Sequence, residues 1–154
     1  HLEDMKKHIL TSIEIKNVVV LQDPTEQHIR KILNYGHTLG HAIESYFLES
    51  ESKEMLLHGE AIAIGMILEG YLSHKLLGLS DASLDDIKRT FLNRYQKVEF
   101  SDVDIDNILK LMKYDKKNSH GKINFVLLKS IGEPEFDVEI PVTLFPEAFA
   151  YYKV

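Results

Sequence analysis

The chain has no cysteine, no block of basic residues and no apolar run near the roughly 20 residues needed to cross a bilayer. Each absence excludes something. Without cysteine there are no disulfides and no thiolate metal sites, so histidine and carboxylates are the only strong metal ligands, and the composition suits a reducing cytoplasm. The formal net charge of -6, with no regular interleaving of aromatics with Lys or Arg, argues against nucleic acid as a partner, and an anionic substrate would need a local cationic pocket. The chain starts at His1 without Met, charged n-region or secretory h-region, which reads as a piece of a longer protein. No G-x-G-x-x-G loop, internal repeat or low-complexity tract occurs. What remains is a composition of 44% hydrophobic and 27% charged residues over 154 positions, expected of one soluble globular domain that is not membrane-bound.

The patterning is mainly α. Met5, Ile9, Ile13, Lys16 and Val20 follow helical spacing between Glu3 and Leu21, with Lys16 in the apolar stripe, where a lysine can reach past its neighbours to water. Asp23, Pro24 and Glu26 read as N-cap, first helical residue and capping-box position of a second helix running to about Leu48. After the polar connection Ser50 to Glu54, a third helix spans Leu56 to Leu77. Its Ala61, Ala63, Gly65 and Gly70 let another backbone come close. Gly78 ends it, and a fourth helix covers Ser80 to Tyr95 with Leu84, Ile87 and Phe91 inward. A short fifth helix begins at Ser101 and Asp102, carries Ile105, Ile108, Leu109 and Met112, and leads into Tyr114-Asp115-Lys116-Lys117. Lys122 to Lys129 and Glu135 to Ile140 are strand candidates joined through Gly132-Glu133-Pro134, and Val142 to Tyr152 is a last helix with Leu144, Phe149 and Tyr152 inward. The expected fold is one helical-bundle domain over residues 1–154, with one small β-hairpin near the C-terminus.

Candidate chemistry concentrates in the second of these helices. At about 100° per residue, Glu26, Arg30, Asn34, His37 and His41 fall within roughly 80°, opposite Ile29, Ile32, Leu33, Leu39, Ile43 and Phe47. His37 and His41 form an H-x-x-x-H pair that either chelates one divalent metal or satisfies ordinary hydrogen bonds. The H-E-x-x-H proteases share the spacing, but Thr38 stands where their catalytic Glu would be. His58 opens the third helix, where it can project over the end of a neighbouring helix, and Glu60 beside it can serve as a dipole partner.

NYGHTLGHAIE followed by LHGEAIAIGM, with Lys16 in an IK-x-x-VV context before them and DKK-x-x-x-GKI-x-FVLL-x-x-IG after them, resembles the C-terminal domain of the 3-dehydroquinate synthase family, within the sugar-phosphate cyclases. The resemblance spans nearly the whole chain. It implies an N-terminal NAD-binding domain outside this chain, an active site in the cleft between the two domains, and a cytoplasmic homodimer as the full-length protein. It further implies that His37 and His58 bind zinc, or another divalent metal such as cobalt, with a carboxylate from earlier sequence. His41 then becomes a substrate-facing acid/base residue and Glu26 a proton-transfer residue. Lys16, Arg30, Asn34 and one of Lys116 or Lys117 become binding residues for a small anionic sugar phosphate. The connection holding SESKE is longer than is usual in the family, which costs little stability. The isolated domain is expected to be inactive. Other cyclases, of the deoxy-inosose or valiolone type, share most of these residues. Glycerol-dehydrogenase-like oxidoreductases share the metal histidines, and a non-catalytic helical assembly domain is the remaining alternative.

Overall fold

A computed structural model describes residues 2–118 and 123–154, with the side chains of 114–118 excepted. Among the described residues there are seven helices, one of them 3-10, and a two-stranded antiparallel hairpin, so the architecture is mainly α with the single hairpin near the C-terminus. Two compact units divide the chain after Leu33.

The first unit holds helix α1, Leu2–Gln22. Its helical spacing is as expected, but none of its residues is buried, and Met5, Ile9 and Ile13 are exposed. The expected second helix does not start at Asp23. The Asp23 carboxylate instead accepts from the backbone N–H groups of Gln27 (3.0 Å), His28 (2.7 Å) and Arg30 (3.1 Å), which closes a loop. Glu26 lies in that loop with φ +56°, a left-handed conformation that no α-helix start permits, so the capping-box reading of Glu26 is incorrect. A 3-10 helix, Ile29–Asn34, follows.

The second unit begins at Asn34. The chain turns at Gly36, whose φ is +80°, and α2 runs over His37–Glu49. The α-helix is therefore broken where sequence periodicity reads it as continuous, and the reason is tertiary. Helix α3, His58–Leu77, passes so close that a Cβ on Gly65 would lie 2.0 Å from the Gly36 carbonyl oxygen. Leu39, Ile43 and Phe47 of α2 bury against the core, as their spacing predicts.

Helix α3 is the centre of this unit, packing against α2, α4 (Asp81–Leu92), α6 (Leu144–Lys153) and strand β1 (Phe125–Ser130). Gly78 caps its end in the left-handed conformation, and Ser80 caps α4 by accepting from the Ser83 N–H at 3.2 Å. Helix α5, Asp102–Asn118, is longer than the short helix expected and carries the DKK segment within it. Strand β2 is Glu133–Val138 and begins two residues earlier than expected, so Pro134 pairs with Leu128 inside the ladder instead of making the turn. In a hairpin of two edge strands a proline needs no partner on its outer side. Phe125, Val126 and Leu127 are buried, and Ser73 of α3 binds the strand through the Leu128 N–H at 2.9 Å. Phe145, Phe149 and Tyr152 of α6 complete the core.

Candidate metal centre

The site is built where two helices begin. His37 is the first residue of α2, His41 lies one turn further, and His58 is the first residue of α3. The close crossing of α2 and α3 brings the three rings together, with centroids 5.3 Å (His37–His41), 5.8 Å (His37–His58) and 5.6 Å (His41–His58) apart. One nitrogen from each ring lies within 4.8 Å of the other two. His37 is half-buried, while His41 and His58 are exposed.

Two of the rings are oriented by acceptors. His37 Nδ1 is 3.1 Å from the Tyr35 carbonyl oxygen, and His58 Nδ1 is 3.1 Å from Glu44 Oε2. A carbonyl and a carboxylate only accept, so each Nδ1 donates and each Nε2 is left outside these hydrogen bonds. This is the support that metal-ligating imidazoles ordinarily receive. The donor chemistry, three imidazoles and no thiolate, fits a borderline divalent ion of the zinc or cobalt kind.

Glu69 of α3, with no exposed surface, meets the start of α2. Its Oε2 accepts from the Gly36 N–H at 2.6 Å and its Oε1 from the Leu39 N–H at 3.2 Å, so a buried carboxyl occupies the first amides of α2. Burial pushes this carboxyl up to about 8, with the backbone amides of Gly36, Leu39 and Thr38 pulling the other way. The Tyr35 hydroxyl donates to the Met66 carbonyl at 2.8 Å and fixes the residue just before the break. At the start of α3, Glu60 accepts from the Leu57 N–H at 2.8 Å, the dipole-partner role expected of it.

The other candidate residues are spread over several elements. Lys16 is exposed on α1. Arg30 pairs with Glu26 at 3.7 Å and donates to the Pro24 carbonyl at 2.8 Å, both within the loop that Asp23 closes. Asn34 is exposed at the end of the 3-10 helix. The five polar residues expected on one helical face are therefore divided, with Glu26 in the loop, Arg30 and Asn34 on the 3-10 helix, and His37 and His41 on α2, because the backbone is left-handed at Glu26 and again at Gly36. The side chains of Lys116 and Lys117 lie outside the described residues.

Sequence reasoning missed Glu44 and Glu69. Glu44 follows His41 by three residues and so shares its face of α2, a usable signal. Glu69 is a lone carboxylate in the apolar run MILEGYL, four residues after Gly65 and four before Ser73, on the small-residue side of α3. That side is where another backbone approaches.

Among the described residues no helix is long and apolar enough to cross a membrane. The chain is 39% identical over 142 residues to a 3-dehydroquinate synthase of Parabacteroides distasonis, which covers 92% of this chain and 40% of that protein. It is 40% identical over 143 residues to one of Picrophilus torridus, with 91% and 40% covered. The chain thus spans about two fifths of the length of these relatives. Among solved structures it resembles a 2-deoxy-scyllo-inosose synthase in complex with carbaglucose-6-phosphate, NAD+ and Co2+, with a TM-score of 0.77 at 26% identity over 97% of this chain and 41% of the other. The fold is shared with the valiolone synthase ValA of Streptomyces hygroscopicus subsp. jinggangensis 5008, solved with NAD+ and Zn2+, with a TM-score of 0.69 at 21% identity over 99% of this chain and 40% of the other. The family described as 3-dehydroquinate synthase C-terminal matches residues 1–118, and the chain, with the histidines of α2 and α3 in place, belongs to it.

Proposed function

We propose that this chain is the metal- and substrate-binding part of a 3-dehydroquinate synthase, a lyase of the shikimate pathway and aromatic amino acid biosynthesis. The full-length enzyme converts 3-deoxy-arabino-heptulosonate 7-phosphate to 3-dehydroquinate with loss of phosphate. The observation that carries the reading is the cluster of His37, His41 and His58, with His37 and His58 oriented through Nδ1, in a chain about 40% identical to 3-dehydroquinate synthases. In this reading NAD, which supplies the redox chemistry, is bound by sequence outside the chain, and the full-length protein is a cytoplasmic homodimer.

His37 and His58 would hold the metal, which when bound acts as a Lewis acid toward a substrate oxygen. His41, exposed beside them, exchanges a proton with the substrate near its phosphate. Arg30, with its planar fork of donors, and Lys16 bind the substrate's two anionic groups, and Asn34 adds a neutral contact. Lys116 or Lys117 supplies a further cation. Glu26, 3.7 Å from Arg30, transfers a proton and keeps that guanidinium in place.

The test is the full-length protein. It should release phosphate from 3-deoxy-arabino-heptulosonate 7-phosphate with NAD and zinc, and His37→Ala and His58→Ala should each lose both metal and activity. The 154-residue chain alone should be inactive, and its turnover would overturn that expectation. A second reading, an inosose- or valiolone-type cyclase, is favoured by the structural likeness to a 2-deoxy-scyllo-inosose synthase. Assaying the same protein on the corresponding hexose and sedoheptulose phosphates separates the two.

A further inference from the structure

We infer that Asp23 is the positioning residue of Arg30, a carboxylate that places the guanidinium by holding the loop on which it rests. The inference deepens the substrate-binding role proposed above for Arg30 and rests on that reading.

Asp23 follows the last residue of α1 and is buried, 6% exposed. Its N–H donates to the Val19 carbonyl at 3.2 Å, which ties it to the last turn of α1, and its own carbonyl accepts from the Glu26 N–H at 3.3 Å. Both carboxylate oxygens meet the backbone that follows. Oδ1 accepts from the Gln27 N–H at 3.0 Å, and Oδ2 accepts from the His28 N–H at 2.7 Å and the Arg30 N–H at 3.1 Å. Burial acts to raise this carboxyl, but the amides of His28, Gln27 and Arg30 outweigh it and hold the group below its ordinary value. A charged acceptor makes stronger hydrogen bonds than a neutral one. One side chain therefore fixes the main chain from the end of α1 to the second residue of the 3-10 helix. Glu26 keeps its left-handed φ of +56° between two of these anchors.

The guanidinium of Arg30 uses the same loop. Its Nη1 donates to the Pro24 carbonyl at 2.8 Å, and its Nε lies 3.7 Å from Glu26 Oε2. Both anchors lie between Asp23 and Gln27, so the Asp23 bonds set their places. The Arg30 side chain remains 33% exposed, which lets a ligand reach it. An arginine held by nothing would surrender rotamer freedom on meeting an anion, and a displacement of about 1 Å can cost about 100-fold in rate. Asp23 sets the guanidinium before substrate arrives, while its own negative charge is engaged by three amides.

The experiment is steady-state kinetics of the full-length enzyme on 3-deoxy-arabino-heptulosonate 7-phosphate, with Asp23→Ala, Asp23→Asn, Arg30→Ala and the double variant Asp23→Ala/Arg30→Ala. Asp23→Ala should raise KM for the sugar phosphate at least about tenfold, with KM for NAD and metal content unchanged. Asparagine keeps one of the two oxygens, so Asp23→Asn should fall between wild type and Asp23→Ala. Because Asp23 acts through Arg30, the double variant should stay within about twofold of Arg30→Ala in that KM. Hydrogen exchange should quicken in residues 24–31 of Asp23→Ala, with circular dichroism unchanged. Wild-type KM in Asp23→Ala would overturn the inference, and so would a double variant in which the two single effects multiply, or an equal rise in KM for NAD. Wild-type KM in Arg30→Ala would remove Arg30 from binding and the inference with it. Failure of the proposed function is read separately, in a wild-type enzyme that does not turn over this substrate.

Discussion

Replacing Glu69 by glutamine probes the buried carboxyl that holds the start of α2. Both oxygens accept backbone amides, from Gly36 at 2.6 Å and from Leu39 at 3.2 Å, and the side chain has no exposed surface. Glutamine keeps one carbonyl oxygen but turns an NH2 group toward the other amide. One buried N–H therefore loses its acceptor, at about 1–3 kcal/mol independent of pH. A second contribution does depend on pH. The carboxyl has an ordinary value of 4.5 and is pushed up to about 8 in the folded chain, so between these two values folding takes up a proton. The stability it contributes is fully present below the lower value and is lost as pH rises through the upper one. The slope is at most about 1.4 kcal/mol per pH unit.

Glutamine has no such proton. The wild-type chain should therefore exceed Glu69→Gln by about 1–3 kcal/mol near pH 5, and the difference should close and reverse by about pH 8. Urea unfolding followed by circular dichroism at several pH values measures it, because groups shared by both proteins cancel in the difference. A difference that stays constant, or widens with pH, would show an ionised carboxylate at the helix start and refute the reasoning.

Gly65→Ala would put a methyl group 2.0 Å from the Gly36 carbonyl oxygen and 2.8 Å from the Gly40 nitrogen, both backbone atoms. We expect a loss of about 3 kcal/mol and a thermal midpoint lower by roughly 10 °C, together with weaker metal binding as α2 and α3 separate. Asp104 is buried and binds Lys53 (2.7 Å), Tyr46 (2.6 Å) and the Ser101 N–H (2.7 Å). Burial acts to raise its carboxyl, but these partners outweigh it and hold the group well below the usual carboxylate range. Asp104→Ala should cost about 3 kcal/mol at neutral pH. That cost should persist down through the ordinary carboxylate range and shrink only in stronger acid, which urea midpoints at acid and neutral pH would show. Glu44→Gln should weaken cobalt affinity about 10–100-fold by loosening His58, with helix content unchanged by circular dichroism.

Much of this fold follows from local rules. Gly78 and Ser80 end one helix and begin the next through a left-handed cap and a hydroxyl acceptor, both readable in four residues of sequence. The stretch from Asp23 to Gly36 is different. Its periodicity and its D-P-T-E start signal both indicate an α-helix, yet Asp23 closes a loop, a 3-10 helix ends at Asn34 and the chain turns at Gly36. The competing terms are tertiary: a glycine on α3 pressed against Gly36, and a carboxyl 33 residues away accepting its amide. Propensity of a few tenths of a kcal/mol per residue cannot oppose a buried hydrogen bond of that kind. The histidine cluster survives the misread helix because His37 and His41 both lie beyond the break, where the helical spacing is real.

The break also explains how an acidic chain can keep three imidazoles together at the start of two helices. Each helix that starts at the site has its first amides answered by a carboxyl of its own: Glu69 beneath α2 and Glu60 at the start of α3. A third acidic side chain, Glu44, accepts from the Nδ1–H of His58. Three of the chain's 24 acidic side chains are thus committed to backbone or ring nitrogens. They fix the helix starts and one ring, and leave the Nε2 atoms of His37 and His58 outside those hydrogen bonds. Had α2 run on without interruption from Asp23, the Gly36 amide would have bonded to the preceding turn, and Glu69 would have been a buried carboxyl without that partner. The residue that looks least suited to a helix core and the interruption that sequence periodicity hides are two sides of one contact.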